Sequence, residues 1–388
     1  MKNICIVAGT LNDYHILKPL MQEIQKDESV YLTVISTGKH QSSDLEITYR
    51  RVEEEGFTID EKTSIVFNTQ KFSGQVLPDN FEHLEYDRIL SRLNPDIVIL
   101  LGNSYETFAA AIAASLNNIP IAHIQGGESD FRTWDDSFGF GITKLSHLHF
   151  TQTAKYRQQV IRFGEHAERV FNVGSLLVER IKARPLEEKS FFYNKTGFNI
   201  ADQFLFISFH PDASMGSKNG PIFHQVLKSL THDRLKNFKL VFNKPKETGL
   251  GKLLTQMIDK FTIIQPHRTI SFPFMELPDL SCAIKYCSVL IGNSAQAMSI
   301  APCFKTPVIN IGTRQQDKTK SANIIDCPPQ NEDILTAVQN GLSTHFKGSL
   351  KNMSSPFEKP STARKIKDII KTFRRSDICK KEFFKVLE

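Results

Sequence analysis

The sequence predicts an α/β protein of two domains, each a doubly wound parallel sheet. Three observations carry this expectation. Short aliphatic runs alternate with stretches of helical spacing along most of the chain. The alternation breaks once, over residues 182–203, a charged stretch with Pro185 and Gly197, and then restarts. At 388 residues and 40% hydrophobic content, the chain is too long for one ordinary domain and sufficient for two cores.

The elements follow in order. Residues 3–8 are a β-branched run and read as the first strand. Residues 14–24 put Leu17, Leu20, Met21 and Ile24 at helical spacing. Residues 31–36 are the next strand. Ile97–Leu101 reads as a buried strand, Tyr105–Leu116 as a helix and residues 119–124 as a second buried strand, followed by a polar, Gly-rich turn. Residues 149–151 and 170–173 continue the sheet and complete a first domain over residues 1–181. The charged stretch then crosses to a second domain, residues 182–360. Its strands are expected at residues 204–208, 239–242, 261–264, 288–291 and 307–311. Residues 361–373 read as a last helix, within a basic segment 361–388 that packs back on the first domain. There is no fixed-period repeat and no low-complexity run.

Charge and cysteine usage narrow the class. The net charge of +6 is uneven: residues 341–388 hold twelve Lys/Arg against five Asp/Glu, and the rest of the chain is close to neutral. The basic end reads as a solvated amphipathic helix, with a polyanion or membrane surface as the alternative. No nucleic-acid partner is expected. Six cysteines stand singly without CxxC spacing, so neither a metal site nor a disulfide framework is suggested, and reduced thiols point to the cytoplasm. No apolar run approaches the roughly 20 residues that span a bilayer. Residues 4–8 are too short for a signal peptide's apolar core.

In a parallel sheet, ligands gather beyond the carboxyl ends of the strands. Gly9-Thr10-Leu11-Asn12-Asp13 follows the first strand, and Asn12 or Asp13 would cap the helix there. Lys18 lies one turn in and can reach the rim, although a surface lysine is the plainer reading. Ser36-Thr37-Gly38-Lys39-His40 ends the second strand, with His40 a ligand contact or an ordinary polar residue. Asn103 and Gln125-Gly126-Gly127-Glu128 end the two buried strands at one rim. Glu128, Asp130, Asp135 and Asp136 collect four carboxylates there, where burial or pairing could tune them for proton transfer. The two glycines clear space beside Glu128. Asp136 opens the next helix, so a first-turn acid is its bland reading. In the second domain His210 follows a strand and precedes a Ser/Gly loop. Asn293 and Ser294 stand at a strand-to-helix turn whose N–H groups suit a diphosphate. Arg314 follows the last expected strand.

At these residues the chain resembles the hydrolysing UDP-N-acetylglucosamine 2-epimerases, in the branch feeding sialic and legionaminic acid synthesis. The segments YETFAAAIAA, IPIAHIQGGE, DDS, ITKLSHLHF, VFNVGS, FHP, IGNS, INIG and RQ stand in family order between Gly9 and about Cys327, and TGKH with EEEGFTIDEK matches too. The resemblance implies the GT-B arrangement: two Rossmann-like domains, nucleotide mainly on the second, sugar in the cleft they face. It implies a reaction in two stages. A base removes the C2 proton as UDP leaves, giving a 2-acetamidoglucal; water then adds to give free N-acetylmannosamine. No metal and no cofactor take part. Glu128 and Asp136 would be two of the catalytic acids, with His210 near the diphosphate. Lys18, His40, Asn293, Ser294 and Arg314 would bind substrate. A UDP-sugar is the implied small-molecule partner, and a homodimer the implied assembly.

The chain also departs from the family pattern. Leu11-Asn12-Asp13-Tyr14-His15 lacks the family's arginine. Gly102-Asn103-Ser104 stands for Gly-Asp-Arg, and the amide of Asn103 cannot exchange a proton as the aspartate does. Ser137-Phe138-Gly139-Phe140 replaces Ser-Ile-Arg-His, and Ala295-Gln296-Ala297 replaces the Ser/Gly phosphate turn. Ile300 takes the place of a ribose-binding Glu, and Thr313-Arg314-Gln315-Gln316-Asp317-Lys318 replaces Asp-Arg-Gln-x-Gly-Arg. The changes fall on the rim and the matches largely on the scaffold. The expectation is a divergent family member acting on, or binding, a nucleotide-activated amino sugar. A glycosyltransferase on the same fold, or a non-catalytic sugar-binding homologue, are the alternatives.

Overall fold

A computed structural model describes residues 1–37, 50, 52–63, 82–128, 134–183, 187–245, 249–273, 275–378 and 381. The chain divides into two compact units: residues 1–180 with 359–388, and residues 181–358.

The first unit is built on seven strands: β1 (Lys2–Ala8), β2 (Val30–Thr37), β3 (Glu61–Thr63), β4 (Ile97–Leu101), β5 (Ile121–Ile124), β6 (Leu148–Thr151) and β7 (Val170–Asn172). They lie in the order β3-β2-β1-β4-β5-β6-β7, with parallel pairing throughout. Every residue of β4 and β5 is buried, which is why β4 reads as an unbroken apolar run and β5 as one interrupted only by His123, rather than as alternating strands. The order reverses between β1 and β4, where Ile4 pairs with Ile97. A chain leaving these two strands in opposite directions opens a crevice at their carboxyl ends. The helix Leu11–Gln25 begins after Thr10, whose hydroxyl accepts from Asp13 N at 3.1 Å. The cap is therefore Thr10, the extended residue preceding the first turn; Asn12 and Asp13 already lie inside the helix.

The C-terminal segment closes this unit. The helix Thr362–Thr372 lays Lys367 and Lys371 on Asp27, at 2.9 and 2.7 Å. Arg375 donates to the carbonyls of Asn117 and Asn118. Lys381 donates to the carbonyls of Thr143, Lys144 and Ser146 and pairs with Glu165 at 2.8 Å. The expected solvated basic face is kept at Arg364, Lys365 and Arg374, which are exposed, and corrected at Lys367, Lys371, Arg375 and Lys381. These cations satisfy carbonyls and carboxylates of the first unit, where helix ends leave acceptors open.

The second unit holds β8 (Phe204–Ser208), β9 (Lys239–Asn243), β10 (Thr269–Phe272), β11 (Val289–Gly292), β12 (Val308–Ile311) and β13 (Ile324–Cys327). Their order is β10-β9-β8-β11-β12-β13, again all parallel, with the reversal between β8 and β11. The expected strand at 261–264 is overturned. Those residues end the helix Leu250–Ile264, which buries Leu254, Ile258 and Phe261 at helical spacing and leaves Ile263 and Ile264 exposed. A β-branched run loses to an amphipathic face that packs. The strand comes after the next turn, as β10. The sequence reading also passed over β3 and β13, both at sheet edges. Residues 182–203 belong to the second unit and include a helix, Lys189–Thr196, ended by Gly197 at φ 68°. Among the described residues no helix is long and apolar enough to cross a membrane.

Candidate functional site

In the first unit the rim is formed by the ends of β1, β4 and β5. Asn103 follows β4 and is half-buried at the crevice, and Ser104 caps the helix Tyr105–Leu116 by accepting from Thr107 N at 3.2 Å. Gly102 N donates to Ile124 O at 3.0 Å, so the ends of β4 and β5 are tied together. Beyond β5 the backbone is forced. Gln125 has φ 69° and Gly127 φ 81°. A Cβ on Gly127 would come within 2.5 Å of Tyr156 O, and one on Gly126 within 2.9 Å of His123 Nδ1. The glycines thus make room for Tyr156 and His123, not for Glu128 as the sequence suggested. Glu128 follows, half-buried, and Asp136 is buried in the first turn of the helix Trp134–Leu145. Asn103 and Glu128 therefore leave adjacent strand ends, and Asp136 opens the helix that follows. Asp130, the side chain of Asp135, and His40 with its glycine and lysine lie outside the described residues.

Lys18 is not a surface lysine. It is 4% exposed and forms an ion pair with Glu55, whose carboxylate also accepts from the Tyr14 hydroxyl. Burial raises the Glu55 pKa, but Lys18 and Tyr14 outweigh it and hold the carboxyl below its ordinary value.

In the second unit one residue organises the rim. Asn293 is 2% exposed. Its Oδ1 accepts from His210 N at 2.7 Å and its Nδ2 donates to His210 O at 2.9 Å. Its own carbonyl accepts from Arg314 Nη1 at 2.8 Å and from Gln315 Nε2 at 3.1 Å. The close approach requires Gly292, at φ 151°, where a Cβ would sit 2.0 Å from Ser208 O. Ser294 caps the helix Ala295–Phe304, accepting from Ala297 N at 3.4 Å. Burial lowers the Arg314 pKa while nearby Asp212 raises it, so this guanidinium stays charged beside one carboxylate. The structure brings His210, Asn293, Ser294 and Arg314 together at the β8–β11 reversal, the position where such sheets receive nucleotides. Ile300 is fully buried in the helix after Ser294.

A family model described as UDP-N-acetylglucosamine 2-epimerase matches residues 22–371. The chain belongs to the UDP-N-acetylglucosamine 2-epimerase family. It is 31% identical to the GDP/UDP-N,N'-diacetylbacillosamine 2-epimerase (hydrolyzing) of Campylobacter jejuni, over 89% of each chain. It is 28% identical to polysialic acid biosynthesis protein P7 of Escherichia coli, over 97% of this chain and 95% of that one. Among solved structures it is similar to S. aureus MnaA in complex with UDP, at TM-score 0.80 and 17% identity over all of both chains. It is also similar to the UDP-GlcNAc 2-epimerase of Neisseria meningitidis bound to UDP-GlcNAc, at TM-score 0.78 and 16% identity over 96% of this chain and 100% of that one. The two parallel sheets, of seven and six strands, are those of the family's GT-B fold class.

The sequence reading missed His123. It is 1% exposed on β5, and its Nε2 lies 2.8 Å from Gly102 O. The available signal was a single polar residue inside the apolar strand Ile-Ala-His-Ile.

Proposed function

We propose that this chain is a divergent 2-epimerase that takes a nucleotide-linked 2-acetamido sugar, with altered proton transfer. The carrying observation is the edge at β4 and β5, where an amide, Asn103, leaves one strand end and a carboxylate, Glu128, leaves the next. Glu128 and Asp136 are the proton-handling pair in this reading. One carboxylate takes the C2 proton as the C1–O bond breaks and its electrons pass to the leaving diphosphate. Asn103 hydrogen-bonds a sugar hydroxyl and moves no proton. The rim of the second unit takes the diphosphate, with Arg314 and His210 supplying charge and hydrogen bonds and the Ser294 turn its N–H groups. The activity for which the C. jejuni relative is named favours a 2,4-diacetamido sugar over N-acetylglucosamine. The cytoplasm is the place of action in this reading, and a homodimer its assembly, which light scattering on the purified protein tests.

The test is incubation with a panel of nucleotide sugars, including UDP-N-acetylglucosamine and UDP- and GDP-N,N'-diacetylbacillosamine. NMR follows free sugar, glucal and released nucleotide. Release of nucleotide together with a 2-epimerised sugar supports the reading. Transfer of the sugar to an added acceptor without C2 labelling from deuterated water would establish the glycosyltransferase instead. No turnover across the panel would leave the non-catalytic homologue.

A further inference from the structure

We infer that His123 is a positioning residue for the carboxylate edge, one buried imidazole that fixes the turn at Gly102 and Asn103 against the segments carrying Glu128 and Asp136. This rests on the reading of that edge given above.

The geometry assigns the tautomer. A carbonyl oxygen can only accept, so the 2.8 Å contact to Gly102 O requires the proton on Nε2. Nδ1 is then an acceptor. The Thr143 hydroxyl lies 3.3 Å from it and 2.9 Å from Gly139 O, so its one proton faces two acceptors. Burial keeps the ring neutral: the pKa is held at about 4, with the bond to Gly102 opposing the shift and His149 and Lys381 adding to it.

Three elements meet on this ring. Gly102 immediately precedes Asn103, and its carbonyl is held by Nε2. Gly126 passes so close to Nδ1 that only a residue without Cβ fits, which sets the path of the chain to Glu128. Thr143 belongs to the helix Trp134–Leu145, whose first turn carries Asp136. Losing the Nε2 donor would leave a buried carbonyl open and release the turn under Asn103. Misplacement of reacting groups by about 1 Å can cost on the order of 10²-fold in rate.

Two substitutions separate the donor from the volume. His123→Phe keeps a ring and removes the donor. His123→Gln keeps an N–H that reaches the Nε2 position. On the substrate found by the panel, His123→Phe is expected to lower kcat roughly 10²-fold with KM within a few-fold, and His123→Gln to recover most of the loss. An unchanged kcat in His123→Phe, or equal losses in both variants, would overturn the inference. If His123→Phe does not fold, His123→Asn replaces it, because its shorter amide cannot reach Gly102. Turnover need not be present for the test. The ring 15N shifts of the wild-type protein should show a protonated Nε2 and a bare Nδ1, and a proton on Nδ1 overturns the assignment. The amides of Gly102 and Asn103 should move in His123→Phe and return in His123→Gln, while that of His210 stays. Unmoved Gly102 and Asn103 amides refute the role. A panel without turnover counts against the proposed function alone.

Discussion

Asn293→Ala should loosen His210 selectively. Both side-chain bonds of Asn293 go to one residue's backbone, at 2.7 and 2.9 Å, inside a residue that is 2% exposed. A buried bond contributes about 1 kcal/mol net, and an abandoned buried partner costs about 1–3 kcal/mol. Losing both bonds should cost roughly 2–4 kcal/mol, with water entry favouring the lower figure. Amide exchange reads this directly, because His210 N–H is one of the two donors. Its protection should fall by about 10²-fold, as roughly 3 kcal/mol implies. Amides of β1 and β4 in the other unit should exchange as before. Asn293→Asp sharpens the result. Its carboxylate can still accept from His210 N–H but repels the His210 carbonyl until it is protonated. The deficit should therefore shrink as the pH is lowered, whereas the alanine variant, with no group there to titrate, should keep its deficit. Unchanged protection of His210 in Asn293→Ala would refute the reasoning, since it would mean the two bonds hold nothing in place.

Three further outcomes are expected. Burial holds His123 and His147 at about 4, so the unfolded chain takes up protons below about 6.5 that the folded chain refuses until about 4. Their contribution is complete above pH 6.5 and is lost as pH falls through 4. It is roughly 3 kcal/mol for His123 alone, and denaturant unfolding at pH 7 and 4.5 should show the drop; equal stability at both would contradict it. Lys381→Ala should lower the stability of the first unit by about 1–3 kcal/mol, because three carbonyls and Glu165 lose a shared partner; calorimetry that leaves Tm unmoved would refute this. On the proposed reading, in which Ile300 and the missing arginine leave substrate binding incomplete, Asn103→Asp alone should not produce N-acetylmannosamine from UDP-N-acetylglucosamine; deuterium appearing at C2 at ordinary turnover rates would show the opposite.

The fold was legible wherever burial was complete. Ile97–Leu101, Ile121–Ile124 and Phe204–Ser208 lie inside their sheets, and their fully buried, nearly continuous apolar runs read as strands. Of the edges, β7 was legible but β3 and β13 were not. Glu61–Thr63 is three residues long and polar, and Ile324–Cys327 carries an exposed residue, so neither has a run to find. The stretch Phe-Thr-Ile-Ile failed for a different reason. Its local propensity favours a strand, but the buried face of Leu254, Ile258 and Phe261 continues a helix through it. At the site, position could be read but connection could not. Gly126 and Gly127 were visible as space, yet the atoms they make room for belong to His123 and to Tyr156, the latter three elements further on. Asn293 was visible as a polar residue at a strand end, yet its bonds to residue 210 run across 83 positions of sequence.

The two units reach the same construction by separate means. Each sheet reverses its order beside its first strand, and at each rim a buried polar side chain bonds the backbone of a neighbouring strand's end. In the first unit His123 holds Gly102; in the second Asn293 holds His210. His123 Nε2 and one donor and one acceptor site of the Asn293 amide are committed to backbone within the unit. The positions expected to depart from the family pattern stand next to these anchors: Asn103 one residue beyond Gly102, and the Ala295-Gln296-Ala297 turn two residues beyond Asn293. Gln125 is held at φ 69°, a conformation that costs a non-glycine residue about 1 kcal/mol or more. That strain persists because Gln125 N is tied to Phe150 O at 3.0 Å and the glycines behind it are packed on His123 and Tyr156. The backbone of each rim is thus fixed from within its own unit, and the proposed reading puts the altered chemistry on the residues just beyond these anchors, Asn103 in the first unit and the turn after Ser294 in the second.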